Sequence, residues 1–346
     1  MLSGKATEEM FKNIIAVLCS EVISAQRISG NVKMAKRDII AISNALTDII
    51  INATDEEISK LTRKEIGSGD LEKIIQSRNV EIIPGGSPAN VVASASYLGA
   101  KCGLIGAIGD DKIGEIYRKD LEKNRIEDLL NVVPSEKSGI CYVLISQSKD
   151  RLFECCLNAT SRLFFGDREK SRTMDYKIFH TSLYEFVTDR LPVTNAIKFA
   201  KEQGKIVSFD FASASCIMKE IEKNEGFTDL FDYIDIKFAN ESEAVELKKK
   251  GILGIAGAGI FIEKLGEKGS RIYCKEDVAE VPAYPCNLVN TNGAGDAYAA
   301  GLLVAYLGKL KEKNKEEINM GDLRQCGENG SKLAAQICSM AGARLR

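Results

Sequence analysis

Near the far end of the sequence, a run of small residues leads into an acid: Asn290-Thr291-Asn292-Gly293-Ala294-Gly295-Asp296-Ala297-Tyr298-Ala299-Ala300-Gly301. It reads as a glycine-rich turn entering an apolar helix that reaches about Leu307. Small side chains at a helix start leave backbone N–H groups uncovered. Those amides and the positive end of the helix dipole form an anion site suited to a phosphoryl group in its transition state. Gly293, Ala294 and Gly295 would stabilise that charge, and Asp296, in the first turn, would take a proton from an attacking hydroxyl. An acid in a first turn is also an ordinary helix cap, and the turn alone does not separate the two readings. The run is not a dinucleotide fingerprint, because Tyr298 replaces the third glycine and the segment lies far from the first strand; no Gly-x-x-x-x-Gly-Lys-Ser/Thr loop occurs.

Three further segments carry similar potential. Pro84-Gly85-Gly86-Ser87-Pro88-Ala89-Asn90 is a glycine turn into a second apolar helix, where backbone can approach a ligand closely. Its plain alternative is a helix start with Ser87 as N-cap and Pro88 at the first helical position. Asn240-Glu241-Ser242-Glu243 places two side-chain oxygens three residues apart at a strand-to-helix junction, a spacing that suits either a hydrated magnesium ion or a capping box. Leu265-Gly266-Glu267-Lys268-Gly269 is a glycine-flanked turn after an apolar run ending at Lys264, and a tight β-turn explains it equally well.

The surrounding elements must hold these segments together. Residues 38–42 form a compact apolar run with β-branched side chains, a predicted buried strand. Short apolar runs then alternate with longer amphipathic ones: 102–108 with 112–124, 205–211 with 215–223, and 233–239 with 240–250. That alternation predicts an α/β fold with a mostly parallel sheet covered on both faces, and ligands beyond the carboxyl ends of its strands. Two stretches, about 48–83 and 138–167, break the pattern and predict a small β-rich lid. Residues 1–33 read as an extension, either a targeting segment or an artefact of start assignment, preceding a single domain over 34–346.

Composition excludes several classes. Lys+Arg 47 against Asp+Glu 49 leaves a net charge of -2, without the basic footprint that nucleic acid requires. A hydrophobic fraction of 45% and a charged fraction of 28% are ordinary for a globular protein, and no apolar run reaches the roughly 18 residues of a membrane span. Ten cysteines without a Cys-x-x-Cys pair are expected to be reduced, buried thiols in a cytoplasmic protein, with Cys155 and Cys156 on opposite faces of a strand. His180, the single histidine, falls in a predicted buried strand and is expected to be structural.

The four segments, in the chain order 84–90, 240–243, 265–269 and 290–301, resemble the ribokinase-like (PfkB) kinases, which phosphorylate sugar or nucleoside hydroxyls with ATP. The resemblance runs from about Ile39 to Arg344 and implies a three-layer α/β/α domain with a small β-rich lid. Residues 289–301 resemble the family's C-terminal signature Asp-Thr-x-Gly-Ala-Gly-Asp. That likeness makes Asp296 the catalytic base and the Gly293, Ala294 and Gly295 amides the anion hole. Residues 84–90, with Leu98-Gly99-Ala100 and 108–114, resemble the N-terminal signature, so Gly85, Gly86 and Asn90 would contact substrate hydroxyls. The 240–243 segment matches the family's Asn-x-x-Glu, implying that Asn240 serves the phosphates and Glu243 the magnesium, while Lys264, Gly266 and Gly269 resemble its nucleotide-binding turn. Asn44-Ala45-Leu46-Thr47-Asp48 looks like the adenosine-kinase form, in which Asn44 and Asp48 grip ribose, and Asn292 suits that branch. Arg151 is similar in placement to the lid arginine that approaches the transferred phosphate. Asn290 stands where the signature carries Asp at a position tied to a monovalent cation, which leaves K+ activation open. The implied reaction is transfer from Mg-ATP to a primary hydroxyl, with adenosine 5′-OH as the expected acceptor. The alternatives are a sugar kinase acting on ribose or fructose and a non-catalytic nucleotide-binding regulator. A base pocket would call on apolar side chains such as Phe153, Phe164 or Phe165. The implied partners are ATP and a small molecule, with no nucleic acid or membrane, in a monomer or a lid-mediated dimer.

Overall fold

A computed structural model describes residues 37–62, 80–146, 148, 151–223, 227–249, 251–252, 259–340, 342 and 344. The extension 1–33 and residues 63–79 of the first expected lid stretch lie outside the described residues. In chain order the strands are β1 (Ile39–Ile42), β2 (Thr47–Asn52), β3 (Glu81–Pro84), β4 (Cys102–Gly109), β5 (Ile126–Val133), β6 (Ile140–Ile145) and β7 (Arg151–Cys156). They continue with β8 (Ile178–Ser182), β9 (Ile206–Asp210), β10 (Ile236–Asn240), β11 (Ile260–Lys264), β12 (Ser270–Cys274) and β13 (Asp277–Val281). The helices are α1 (Asp55–Thr62), α2 (Ser87–Tyr97), α3 (Lys112–Lys123), α4 (Asp167–Arg172) and α5 (Leu183–Thr188). After these come α6 (Arg190–Glu202), α7 (Ala214–Lys223), α8 (Glu241–Lys249), α9 (Ala294–Glu312) and α10 (Met320–Cys338).

The main sheet has nine strands in the order β13-β12-β11-β10-β9-β8-β1-β4-β5. From β5 to β11 all neighbours are parallel, and only the β11–β12 and β12–β13 pairings are antiparallel, so β12 alone runs against the rest. β1 shows why its run is apolar throughout. Ile39 and Ala41 face the core beneath α2, α3, α9 and α10, whereas Ile40 and Ile42 face the core beneath α5, α6, α7 and α8. Successive side chains point to opposite faces, so a strand with helices on both sides has no polar face. The result is the three-layer α/β/α arrangement. His180 on β8 is fully buried, with Nδ1 3.0 Å from Ser208 Oγ, and burial pulls its pKa down to about 4, so the ring is neutral.

A second sheet of four strands, β3-β2-β6-β7, is fed directly from β1 through residues 43–46. Its inner face (Ile49, Ile51, Ile140, Tyr142 and Leu144) packs with Ile58 and Ile113. Cys141 and Cys155 stand opposite each other across β6 and β7 with sulfurs 3.0 Å apart, while Cys156 turns to the inner face. The expectation of buried thiols holds for Cys102, Cys141 and Cys326 but not for Cys155 and Cys286, which are exposed.

α9 runs beyond the predicted end near Leu307, because it has a long partner in α10. The two helices meet backbone to backbone. A Cβ on Gly301 would lie 2.7 Å from the Asn329 carbonyl oxygen and 2.9 Å from Gly330 Cα. Neither atom can move without displacing a helix, so Gly301→Ala is expected to lower stability by about 1–3 kcal/mol in urea unfolding. In the same helix, a Cβ at Gly308 meets nothing within 4 Å. Gly308→Ala is therefore expected to hold or raise stability by up to about 1 kcal/mol.

Candidate active site

The carboxyl ends of β1, β9, β10 and β11 open on one edge of the sheet, and the first turns of α2 and α9 meet there. Gly293, the residue before α9, adopts φ 73°, a left-handed value suited to glycine. The loop leading to it is tied by Asn292 N–H donating to Asn290 Oδ1 at 3.0 Å and by Asn290 N–H donating to the Cys338 carbonyl at 3.1 Å. The Ala294 N–H is turned back to the Thr291 carbonyl at 3.2 Å. Of the three amides expected to face an anion, Ala294 is therefore engaged, whereas those of Gly293 and Gly295, with that of Asp296 beside them, make no backbone hydrogen bond among the described residues.

Asp296 is the centre of the site. Its Oδ1 accepts from Ser87 Oγ at 2.7 Å and its Oδ2 from Asn90 Nδ2 at 2.9 Å. Both donors lie on α2, whose cap differs from expectation. Gly86, at φ 95°, precedes the helix, and Ser87 is its first residue. The reason is close approach: a Cβ on Gly86 would sit 2.3 Å from the Asn44 carbonyl oxygen. With Gly86 as cap, the Ser87 hydroxyl is free for Asp296. Burial pushes the Asp296 carboxyl up to about 6; the Asn90 and Ser87 hydrogen bonds oppose the rise, while Asp210 adds to it and Lys264 counters it. Asp296 thus titrates near neutrality, where a general base is effective.

Beside it lie the residues expected to grip an acceptor. Asn44 is buried; its backbone N–H donates to Glu185 Oε1 at 3.0 Å and its Nδ2 to Thr188 Oγ1 at 3.1 Å. Its Oδ1 has no hydrogen-bond partner among the described residues. A buried amide oxygen without a donor costs free energy unless a ligand supplies one. Asp48 is pushed up to about 6 by burial, which nearby Arg344 opposes and Asp296 reinforces. Gly85 packs so closely on Asp48 that a Cβ there would lie 2.8 Å from Asp48 Oδ2. Asn44, Asp48, Gly85, Gly86 and Asn90 are therefore brought together.

On the other flank of Asp296, Asn240 and Lys264 are register partners at the ends of β10 and β11. Lys264 Nζ bonds Asp210 Oδ2 at 2.6 Å and would lie 3.2 Å from a Cβ on Gly295, so an ammonium stands against the start of α9. Glu243 is spent locally: its Oε2 accepts from Asn240 N–H at 2.8 Å and its Oε1 from Asn240 Nδ2 at 2.6 Å, while Asn240 Oδ1 accepts from Glu243 N–H at 2.9 Å. This is a capping box. Burial, reinforced by Asp210 and countered by Lys264, pushes the Glu243 carboxyl up to about 7. Among the described residues no group of three potential metal ligands occurs. Gly266 and Gly269 have φ 60° and 92°, and a Cβ on Gly269 would lie 2.0 Å from the Val281 carbonyl oxygen.

Arg151 opens β7 opposite Ile145, and its side chain lies outside the described residues. Phe153 and Phe164 are exposed. Phe165 is instead a core residue, with its ring centroid 5.8 Å from that of Phe199, so it is unavailable to a ligand. Residues the sequence did not single out are Ser87 as a partner of the acid, Asp210, Glu185 and Arg344. Asp210 lies one residue before the end of a predicted strand, at its carboxyl edge, which is a usable signal. Arg344 had none.

The sequence matches the family described as pfkB family carbohydrate kinase over residues 41–345. A putative sugar kinase of Pyrococcus horikoshii is 30% identical over 262 residues, 74% of this chain and 82% of that protein. A probable fructokinase of Arabidopsis thaliana is 27% identical over 262 residues, 70% and 81% of the two chains. Among solved structures, an adenosine kinase from Sinorhizobium meliloti superposes with TM-score 0.76 at 22% identity, covering 90% of this chain and 96% of that one. The Schistosoma mansoni adenosine kinase in complex with 2-fluoroadenosine gives TM-score 0.76 at 19% identity, covering 91% and 98%. At these identities the structural likeness is one of fold.

The buried acid has a consequence for stability. The folded-state carboxyl of Asp296 lies near 6 against an ordinary 3.8. Stability from its protonated form is complete below about pH 4 and is lost as pH rises through 6, leaving an ionised buried group that costs on the order of 1–3 kcal/mol at pH 7.5. Asp296→Asn is expected to melt at a higher temperature than the parent at pH 7.5, with the difference shrinking towards zero near pH 4. Thermal scans across that range check it.

Proposed function

Because the chain belongs to the pfkB family of carbohydrate kinases, we propose that it transfers the γ-phosphoryl of ATP to the primary hydroxyl of a nucleoside, with adenosine 5′-OH as acceptor. Kinase chemistry on a hydroxyl comes with the family. The nucleoside is supported chiefly by the outer face of the small sheet. There Asp48, Cys141 and Cys155 form one cross-strand row, and Ile50, Val143 and Phe153 form the next. Directly opposed residues share a face, so an apolar row ending in Phe153, 55% exposed, adjoins the carboxylate that would grip a ribose. Val143 is already buried in that row, so a base would cover Phe153, which a free sugar leaves exposed. The sequence relatives named as sugar kinases and fructokinases favour a second reading, phosphorylation of a free sugar such as fructose or ribose.

In the proposed reaction, the acceptor's vicinal hydroxyls bind Asp48, Asn90 and the orphan Asn44 Oδ1, and its primary hydroxyl meets Asp296. Ionised above about pH 6, Asp296 takes the hydroxyl proton as the oxygen attacks phosphorus. The Gly295 and Asp296 amides and the Lys264 ammonium face the transferring oxygens. Both Glu243 oxygens already accept from Asn240, so the donor set fits only a magnesium ion that keeps its waters, and Glu243 and Asp210 would hold such an ion through them. Such an ion, when bound, neutralises phosphate charge. The small sheet acts as a lid that excludes water from the transfer.

ATP consumption with magnesium and a panel of adenosine, other nucleosides, ribose, fructose and phosphosugars tests the assignment. Adenosine is expected to drive turnover, and Asp296→Asn to lower kcat by about 10²–10⁴-fold. Turnover with a free sugar alone would replace the nucleoside reading. No turnover with any acceptor would leave a nucleotide-binding regulator.

A further inference from the structure

We infer that Arg344 is a positioning residue for phosphoryl transfer: it fixes the side-chain amide of Asn90 so that the N–H₂ group, not the oxygen, faces Asp296. The inference rests on the reading of Asp296 as the base. Arg344 is 6% exposed and lies beyond α10, yet its Nε donates to Asn90 Oδ1 at 2.8 Å across 254 residues of sequence. A second guanidinium nitrogen donates to the Gly85 carbonyl at 3.2 Å, and the third pairs with Asp120 on α3. Tyr117, one turn earlier on α3, donates its hydroxyl to the same Gly85 carbonyl at 2.8 Å. The acceptor loop is thus gripped from behind by one arginine and one tyrosine.

The effect on Asn90 follows from donor and acceptor inventory. An arginine only donates, so the amide atom facing it must be the oxygen. The nitrogen is then turned to Asp296 Oδ2, where it donates at 2.9 Å. A flipped Asn90 would set its oxygen against the carboxylate and remove one of the two hydrogen bonds that moderate the pKa of Asp296. Other charged groups also face that acid: Asp210 and Lys264 from the ends of β9 and β11, Asp48 from β2 and Glu185 from α5. None of them touches the Asn90 amide among the described contacts. Among the described residues Arg344 is the one charged side chain that bonds the amide oxygen of Asn90, so it fixes from behind the orientation that Asp296 accepts from in front.

The test uses the full chain and two independent readouts. The first is the titration of the Asp296 carboxyl by ¹³C NMR, its signal identified by loss in Asp296→Asn; this needs no turnover. Arg344→Ala is expected to move the midpoint upward, and an unmoved midpoint overturns the inference whatever the substrate proves to be. The second is a double-mutant cycle with the acceptor that wild type phosphorylates. Arg344→Ala is expected to lower kcat by about 10–100-fold. In an Asn90→Ala background the same change is expected to cost no more than about twofold, because its target is gone. Additive losses would mark Arg344 as a structural support only. Should Arg344→Ala fail to fold, Arg344→Lys keeps a cation for Asp120 but gives up the fork to Asn90 and Gly85. It is expected to melt like the parent and still raise the midpoint, and a parental midpoint in that variant overturns the proposal.

Discussion

A carboxylate buried at a helix start has to be held in place without losing its basicity. A direct ion pair would hold it but would depress its pKa and leave it a poor proton acceptor. The site avoids this by dividing its charges. Lys264 is given to Asp210 at 2.6 Å, while Asp296 receives only neutral donors, Ser87 and Asn90. Burial then wins, and the Asp296 carboxyl rises to about 6. Lys264, paired with Asp210, stays protonated: desolvation opposes its charge, but Asp210 and Glu243 outweigh it and raise its pKa. One acid is left with a raised pKa, and another keeps a cation beside the start of α9.

That division needs side chains from four elements at one edge, which a parallel sheet supplies without strain. The ends of β9, β10 and β11 deliver Asp210, Asn240 and Lys264 to one edge, with Asn240 opposite Lys264 and Asp210 opposite Phe238, because parallel neighbours end on the same side. The helices that return over the sheet begin at that same edge, so the first turns of α2 and α9 bring the donors and the acid face to face. Two glycines set the spacing. Gly86 lets α2 start against the Asn44 backbone, and Gly293 turns the chain into α9.

Much of this is legible in sequence, for a physical reason. Apolar alternation reports which faces are covered, so the α/β layers follow from residues 38–42 and from the paired runs after them. The glycine-rich start of α9 likewise announces uncovered amides, and Asp296 stands next to them. What the sequence does not carry is the identity of partners across long separations. Ser87 satisfies the rules for an N-cap as well as those for a first helical residue, and only the proximity of the Asn44 carbonyl to Gly86 decides between them. Phe165 looks like an available aromatic until Phe199 and its neighbours enclose it. Arg344 is one arginine among many until the chain beyond α10 returns to α2 and α3.

Substrate choice is set elsewhere than at the base. In the proposed reaction Asn44, Asp48, Gly85 and Asn90 would bind hydroxyls, and hydroxyls are common to free sugars and nucleosides, so these contacts would stabilise both acceptors alike. Discrimination has to come from surface that one acceptor covers and the other does not. Phe153, exposed at the end of the outer row, is such a surface. Covering a large apolar side chain contributes about 1.5–3 kcal/mol, roughly 10- to 100-fold in affinity. A nucleoside base can collect that free energy while its ribose occupies the shared polar groups. On this reasoning, kinase chemistry belongs to the main sheet and acceptor preference to the small one, so two proteins alike in the first can differ in the second.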